Sequence, residues 1–142
     1  IKHQHKKLTL NNTLIDNSFD WQKQHWAALK TSYNSSPFFE FYKNEIKSLY
    51  LNKFLNLEDF NFKCIQLISD WLGIKLNLVK TKNYLENHDN CIDYRTMSNK
   101  TYKDNFKSKK YTQVFSRSNG FINNLSILDL IFNTGPESNN YL

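Results

Sequence analysis

His25 follows Trp21 by one helical turn and directly precedes Trp26. An imidazole set among aromatic rings could act as a general base or a hydrogen-bond donor. The same placement also suits a histidine satisfied at a helix–helix contact. Asp93-Tyr94-Arg95 carries one of the chain's two arginines. The rigid guanidinium fork suits a phosphate or carboxylate, or a structural ion pair with Asp93. Tyr111 and Gln113, two residues apart, offer a phenol and an amide. Asp129, three residues after Ser126, is either a partner of a capping serine or an acid held at a helix start.

Other chemistries lack their residues. Ser35 and Ser36 are not in a GxSxG elbow. Cys91 lies between Asp89 and Asp93, which would raise its pKa and blunt it as a nucleophile. Cys64 falls on an apolar helical face, as a small buried hydrophobe. The spacing of the two cysteines suggests no disulfide framework. His3 with His5, and His88 with Asp89, form no HExxH or paired CxxC, so no metal site is expected. Neither GxGxxG nor GxxxxGK[ST] is present, and no cofactor is assigned.

The elements that must position these groups follow from hydrophobic period and capping. Asp20 suits an N-cap, and Trp21, His25, Ala28, Leu29 and Ser32 share a helical face. Trp26, Leu29 and Tyr33 lie on the adjoining face. Ser36-Pro37 predicts a second helix with proline at its first position. Its stripe is Phe38, Phe41, Tyr42, Glu45, Ile46, Leu49 and Tyr50. Asn56 and Asp59 begin a third helix, which buries Leu57, Phe60, Cys64, Leu67, Ile68 and Trp71 and stops at Gly73. Alternation predicts two short strands or one bent strand over Leu8 to Leu10 and Thr13 to Ile15, and strands at Ile74 to Val79 and Tyr111 to Phe115. Residues 81–110 have neither period and predict a long irregular loop with at most one short helix. Ser126 opens a last helix that Thr134-Gly135-Pro136 ends. The expected fold is therefore α+β: a helical hairpin and a third helix packed on a small sheet.

At 142 residues one domain spanning 1–142 is expected. Aromatic residues make up 15% of the chain, so large rings carry much of the apolar burial. The net charge is +6, but the lysines are scattered, with clusters only at 2–7 and 100–110. Interleaved acids argue against a contiguous nucleic-acid-binding face. No run reaches transmembrane length and no signal peptide is visible, which points to the cytoplasm. Asparagine supplies turns where glycine and proline are few.

The blocks Trp21 to Tyr42, Asp93-Tyr94-Arg95, Tyr111-Thr112-Gln113-Val114-Phe115 and Phe121 to Gly135, with Pro136-Glu137-Ser138 after them, resemble the WbqC-like protein family, in particular its Bacteroidetes-type branch. The resemblance implies a full-length domain with an added N-terminal region, rich in tyrosine and arginine, that has no counterpart here. Ile1 would then lie inside a strand. The chain would be N-terminally incomplete, and the missing region would be its partner. The family also implies a role in O-antigen or related surface-polysaccharide assembly. The implied reaction is transfer of a glycyl, other aminoacyl or acyl group to a sugar or sugar nucleotide. Polar residues inside apolar motifs need a reason to be there. On that ground His25 and Asp129 are nominated as catalytic, and Arg95, Tyr111 and Gln113 as substrate-binding. A transferase predicts a pocket where His25, Arg95 and Asp129 converge. The alternative, a non-catalytic binding or assembly module, predicts an exposed aromatic patch and no such pocket.

Overall fold

The computed structural model describes residues 1, 9–81, 83–86, 92–98 and 107–142. Among these residues the fold is helical, with no strand or sheet, which corrects the expected α+β architecture. The elements are α1 (Trp21–Tyr33), α2 (Phe39–Leu51), α3 (Leu57–Leu72), α4 (Ser116–Asn119) and α5 (Ile127–Thr134), joined by 3-10 turns.

Each expected strand fails for a local reason. Thr13 to Ile15 is extended but meets a single short partner. The Ile15 amide donates to the Leu55 carbonyl at 2.9 Å and the Leu57 amide to the Thr13 carbonyl at 3.0 Å, closing one antiparallel bridge of Leu14 with Asn56. Before it, the chain coils into a 3-10 turn at Leu10–Asn12. Ile74, Leu76, Leu78 and Val79 alternate with polar residues or follow them, yet all four are exposed. Without a buried face the alternation has nothing to pack on, and a sheet needs that face. At Tyr111 to Phe115 the chain turns into α4, and the side chain of Gln113 takes the backbone partner that a strand would have paired. The described part of 81–110 holds one 3-10 turn, Arg95–Ser98. His3, His5, Leu8, His88, Asp89 and Cys91 lie outside the described residues, as do the lysines at 2–7 and two of the five at 100–110.

Local signals set the helices well. Asn56 caps α3, accepting from the Glu58 amide at 2.8 Å. Gly73 ends α3 at φ 65°, and the following Ile74 amide returns to the Ser69 carbonyl at 2.9 Å; this left-handed turn is one glycine makes without strain. The second helix starts later than Pro37 predicts. The Phe39 amide reaches back to the Ser36 carbonyl, and the Phe38 amide leaves the helix to bond the Phe132 carbonyl at 3.0 Å. That turn rotates the stripe. Phe39 and Ile46 are buried, whereas Phe41 points to solvent at 74% exposure.

The core is Phe39, Ile46, Leu72, Ile131 and Phe132. Phe132 is fully enclosed. Its ring meets Phe39 and Tyr33 edge to face, both at 5.1 Å, with Tyr42 and Trp71 further round. Thus α5 is the pin on which α1, α2 and α3 converge. Trp21 is buried on a second aromatic cluster, with Phe60 at 5.5 Å and Tyr50 at 6.3 Å, and its indole N–H donates to Asn17. Trp71 is half-buried, stacked at a tilt on Tyr42 and donating to Glu45. The 3-10 turn Gly135–Asn140 packs back on α3, where the Asn139 amide donates to the Leu72 carbonyl at 2.8 Å. No helix of the described residues is long and apolar enough to cross a membrane.

Candidate functional site

The described residue that most demands explanation is Asp129, a carboxylate only 3% exposed. Ser126 caps α5 by accepting from the Leu128 amide, so the cap leaves the Asp129 side chain for other partners. The Tyr111 hydroxyl donates to its Oδ2 at 2.8 Å. Tyr33, arriving from α1, interacts with the same carboxylate. The Asn133 amide donates to the Asp129 carbonyl at 2.7 Å. Burial pushes the Asp129 carboxyl above its ordinary range, and the two phenols pull it partly back. Burial also pushes the Tyr111 phenol up to about 12; Gln113 opposes that rise and the neighbouring Asp129 charge adds to it.

Gln113 is itself buried. Its Nε2 donates to the Ile122 carbonyl at 2.8 Å, and its Oε1 accepts from the Ile122 amide at 2.9 Å. One side chain thereby clamps the segments on either side of α4 and sets Tyr111 in place. Aromatic edges complete the setting: Phe121 lies 5.7 Å and Tyr141 5.9 Å from the Tyr111 ring. Two cavities open beside this pair of tyrosines. One, of about 250 Å³, is walled by Leu125, Ile127, Leu130 and Leu142, with Ser108 and Asn124 at its polar side. The other, of about 440 Å³, is bounded by Phe38, Thr112, Asn133 and Glu137 among others. Tyr111 and Tyr141 line both, and Asp129 lines neither. A ligand would touch Tyr111, and Asp129 would act through it.

The five nominated residues therefore divide. Tyr111, Gln113 and Asp129 come together, with Gln113 as the structural clamp. Arg95 is engaged elsewhere: its Nε meets both Asp93 carboxylate oxygens at 2.9 Å, and its terminal nitrogens donate to the Leu85 and Glu86 carbonyls. Its guanidinium also covers the Tyr84 ring at 5.0 Å. That is the structural ion-pair alternative, and it ties down a loop. His25 is exposed. Its ring lies edge to face with Trp21 at 5.3 Å and Tyr50 at 6.2 Å. Shallow hollows beside it are lined by Ile15, Phe19 and Phe60 on one side and by Ala28, Leu29 and Ser32 on the other. Neither hollow includes Arg95 or Asp129. Tyr33, Tyr141 and Glu137 were missed as site residues. Tyr33 falls on an apolar stripe with Trp26 and Leu29, and no spacing rule links it to Asp129.

The Asp129 environment makes a pH-dependent prediction. Its folded-state pKa lies above the unfolded value, so between the two the native state holds more protons. Stability should therefore fall as pH rises from about 4 through the folded pKa, and the loss should persist at neutral pH. Asp129→Asn keeps an acceptor for the phenols without the buried charge. Urea denaturation from pH 3.5 to 7 should show this component in the native chain and lose it in the variant. Parallel pH profiles would mean that the carboxylate is not strained by burial.

Fold and site define a helical domain with a buried acid–phenol pair behind a small-molecule-sized cleft. The model of the WbqC-like protein family matches residues 1–104 and 94–141, and the chain belongs to that family. The match starts at residue 1. The expectation that the family's N-terminal region has no counterpart here is therefore corrected, and with it the notion of that region as a missing partner. Residues 1–104 match the family without a tyrosine- and arginine-rich motif at their start. The uncharacterised protein Rv1507c of Mycobacterium tuberculosis is 28% identical over 167 aligned positions, which cover 97% of this chain and 70% of that protein. No solved structure gives a significant match.

Proposed function

We propose that this protein is a transferase of bacterial surface-polysaccharide assembly, in which an acyl or aminoacyl group passes to a sugar or sugar nucleotide. The observation that carries the reading is the Tyr111–Asp129 hydrogen bond at the wall of two cavities. A buried carboxylate costs stability unless something compensates, and groups so placed are concentrated at sites of chemistry. With its proton committed to Asp129, the Tyr111 oxygen is left as an acceptor that can orient a sugar hydroxyl or amine. Tyr111 is the contact residue and Asp129 the residue that positions it. In this reading residues 1–142 form one domain and the transfer takes place in the cytoplasm.

The test uses purified protein with a panel of acyl and aminoacyl donors and sugar nucleotides, with product mass as the readout. Tyr111→Phe and Asp129→Asn should fold and lose most of the transfer, while His25→Gln should retain it. Retention of full transfer by both site variants would remove this site from the reaction.

A second reading has its own observation. His25, Arg95 and Asp129 do not converge, and the Trp21–His25 face carries Phe19 at 52% exposure. These features suit a binding or assembly module docking through aromatic residues. Under that reading His25→Gln and Phe19→Ser abolish pull-down of a polysaccharide-assembly partner, and no transfer is detected with any donor.

A further inference from the structure

The 440 Å³ cleft has the volume of a small-ligand pocket, for which ~300–1,000 Å³ is usual. What distinguishes it is the sign of its hydrogen-bonding groups. Glu137, at the start of the 3-10 turn, places a carboxylate among the lining residues and has no ion-pair partner among the described residues. Asn133 gives one of its two amide hydrogens to the Asp129 carbonyl, which leaves its Oδ1 and a second N–H. The Thr134 hydroxyl is taken up by the Leu130 carbonyl and Ser138. The Tyr111 hydroxyl donates its hydrogen bond to Asp129. What remains is the Glu137 carboxylate and the Asn133 amide, with the Thr112 and Tyr141 hydroxyls able to donate or accept and with Phe38, Tyr111, Tyr141 and Pro136 as apolar walls. The nearby ammonium of Lys109 is bonded to the Asn140 carbonyl at 2.7 Å and does not line the cleft. In a chain of net charge +6, this is a pocket whose lining holds one carboxylate, Glu137, and no cationic side chain.

A ligand that fits must bring a donor for Glu137, further groups that can both donate and accept, an apolar face and no negative charge of its own. An ionised carboxylate accepts only, and hydroxyl groups supply what it lacks. Carbon-bound hydrogens on one face of a ring sugar supply the apolar surface for the aromatic walls. We infer that this cleft is the binding subsite for a neutral pyranose ring, and that Glu137 is the residue that selects it over an acidic sugar. This deepens the transferase reading and rests on its sugar substrate. In a sugar nucleotide the diphosphate would have to lie outside the cleft, since like charges placed together disfavour binding.

The test is chemical-shift mapping on the whole protein, titrated with glucose, N-acetylglucosamine and glucuronate. The two neutral sugars should shift resonances of Tyr111, Thr112, Asn133, Glu137 and Tyr141, and glucuronate should bind more weakly by about fivefold or more. Glu137→Gln should leave the fold intact and narrow that discrimination to less than about twofold. Shifts centred on the Trp21–His25 face would overturn the subsite and leave the sugar reading standing. Equal binding of neutral and acidic sugars in the native cleft would overturn the role of Glu137. No shift with any of the three sugars would overturn the subsite and the sugar reading together.

Discussion

Phe132→Ala should lower the unfolding free energy by about 3–5 kcal/mol, the usual cost of truncating an enclosed aromatic core residue. The side chain is 0% exposed. Its ring touches Phe39, Tyr33, Tyr42 and Trp71, which come from all three long helices. The lost ring therefore opens a cavity that no single helix can close by a small shift. Tyr33 also interacts with Asp129, so loss of its packing should loosen the site as well as the fold. The comparison is Phe41→Ala on the exposed side of α2, expected within about 0.5 kcal/mol of the native chain. Urea titrations of both variants check the pair. Similar losses at the two positions would show that the stripe is still rotated wrongly.

Gly135→Ala should cost about 2–5 kcal/mol, combining two effects of similar size. Gly135 has φ 57° and ψ −131°, a region that residues with a β-carbon avoid. An added β-carbon would also stand 2.4 Å from Cδ1 of Phe38, so the ring or the backbone would have to move. Phe38 cannot move freely, because its amide is bonded to Phe132 on the other side of the same junction. Gly120→Ala separates the two effects. Gly120 also has positive φ, at 68°, but a β-carbon there meets nothing within 4 Å. It should show the backbone strain alone, about 1–3 kcal/mol. Thermal unfolding of both variants gives the difference. Equal destabilisation would mean that the contact with Phe38 contributes nothing.

How much of this was legible beforehand follows the range of each interaction. Helix starts and stops are local. Asn56, Ser126 and Gly73 act on backbone groups within a few residues of themselves, and the chain shows them in place. The ion-pair alternative for Arg95 and Asp93 was legible for the same reason, since the two residues are two apart. The second helix shows the limit: a proline after a serine favours a helix start, but the hydrogen bond of Phe38 to Phe132 delays it and rotates the buried face.

Strands and site belong to the tertiary structure. A period of two over five or six residues describes a surface, and only a partner strand and a covering layer turn it into a sheet. Thr13 to Ile15 found one bridge and Ile74 to Val79 found no cover, so neither became part of a sheet. Sequence could nominate Tyr111, Gln113 and Asp129 as polar residues in apolar surroundings. It could not bring Tyr33 from α1 to the same carboxylate, nor keep His25 and Arg95 away from it. Those separations depend on how α5 seats among three helices around Phe132, a matter of ring packing between residues far apart in the chain. The sequence determined the three long helices and α5, and which side chains are out of place in apolar company. Packing alone decided which of those side chains share a site, because no hydrogen bond or local period spans the chain from Tyr33 to Asp129 until the core has closed.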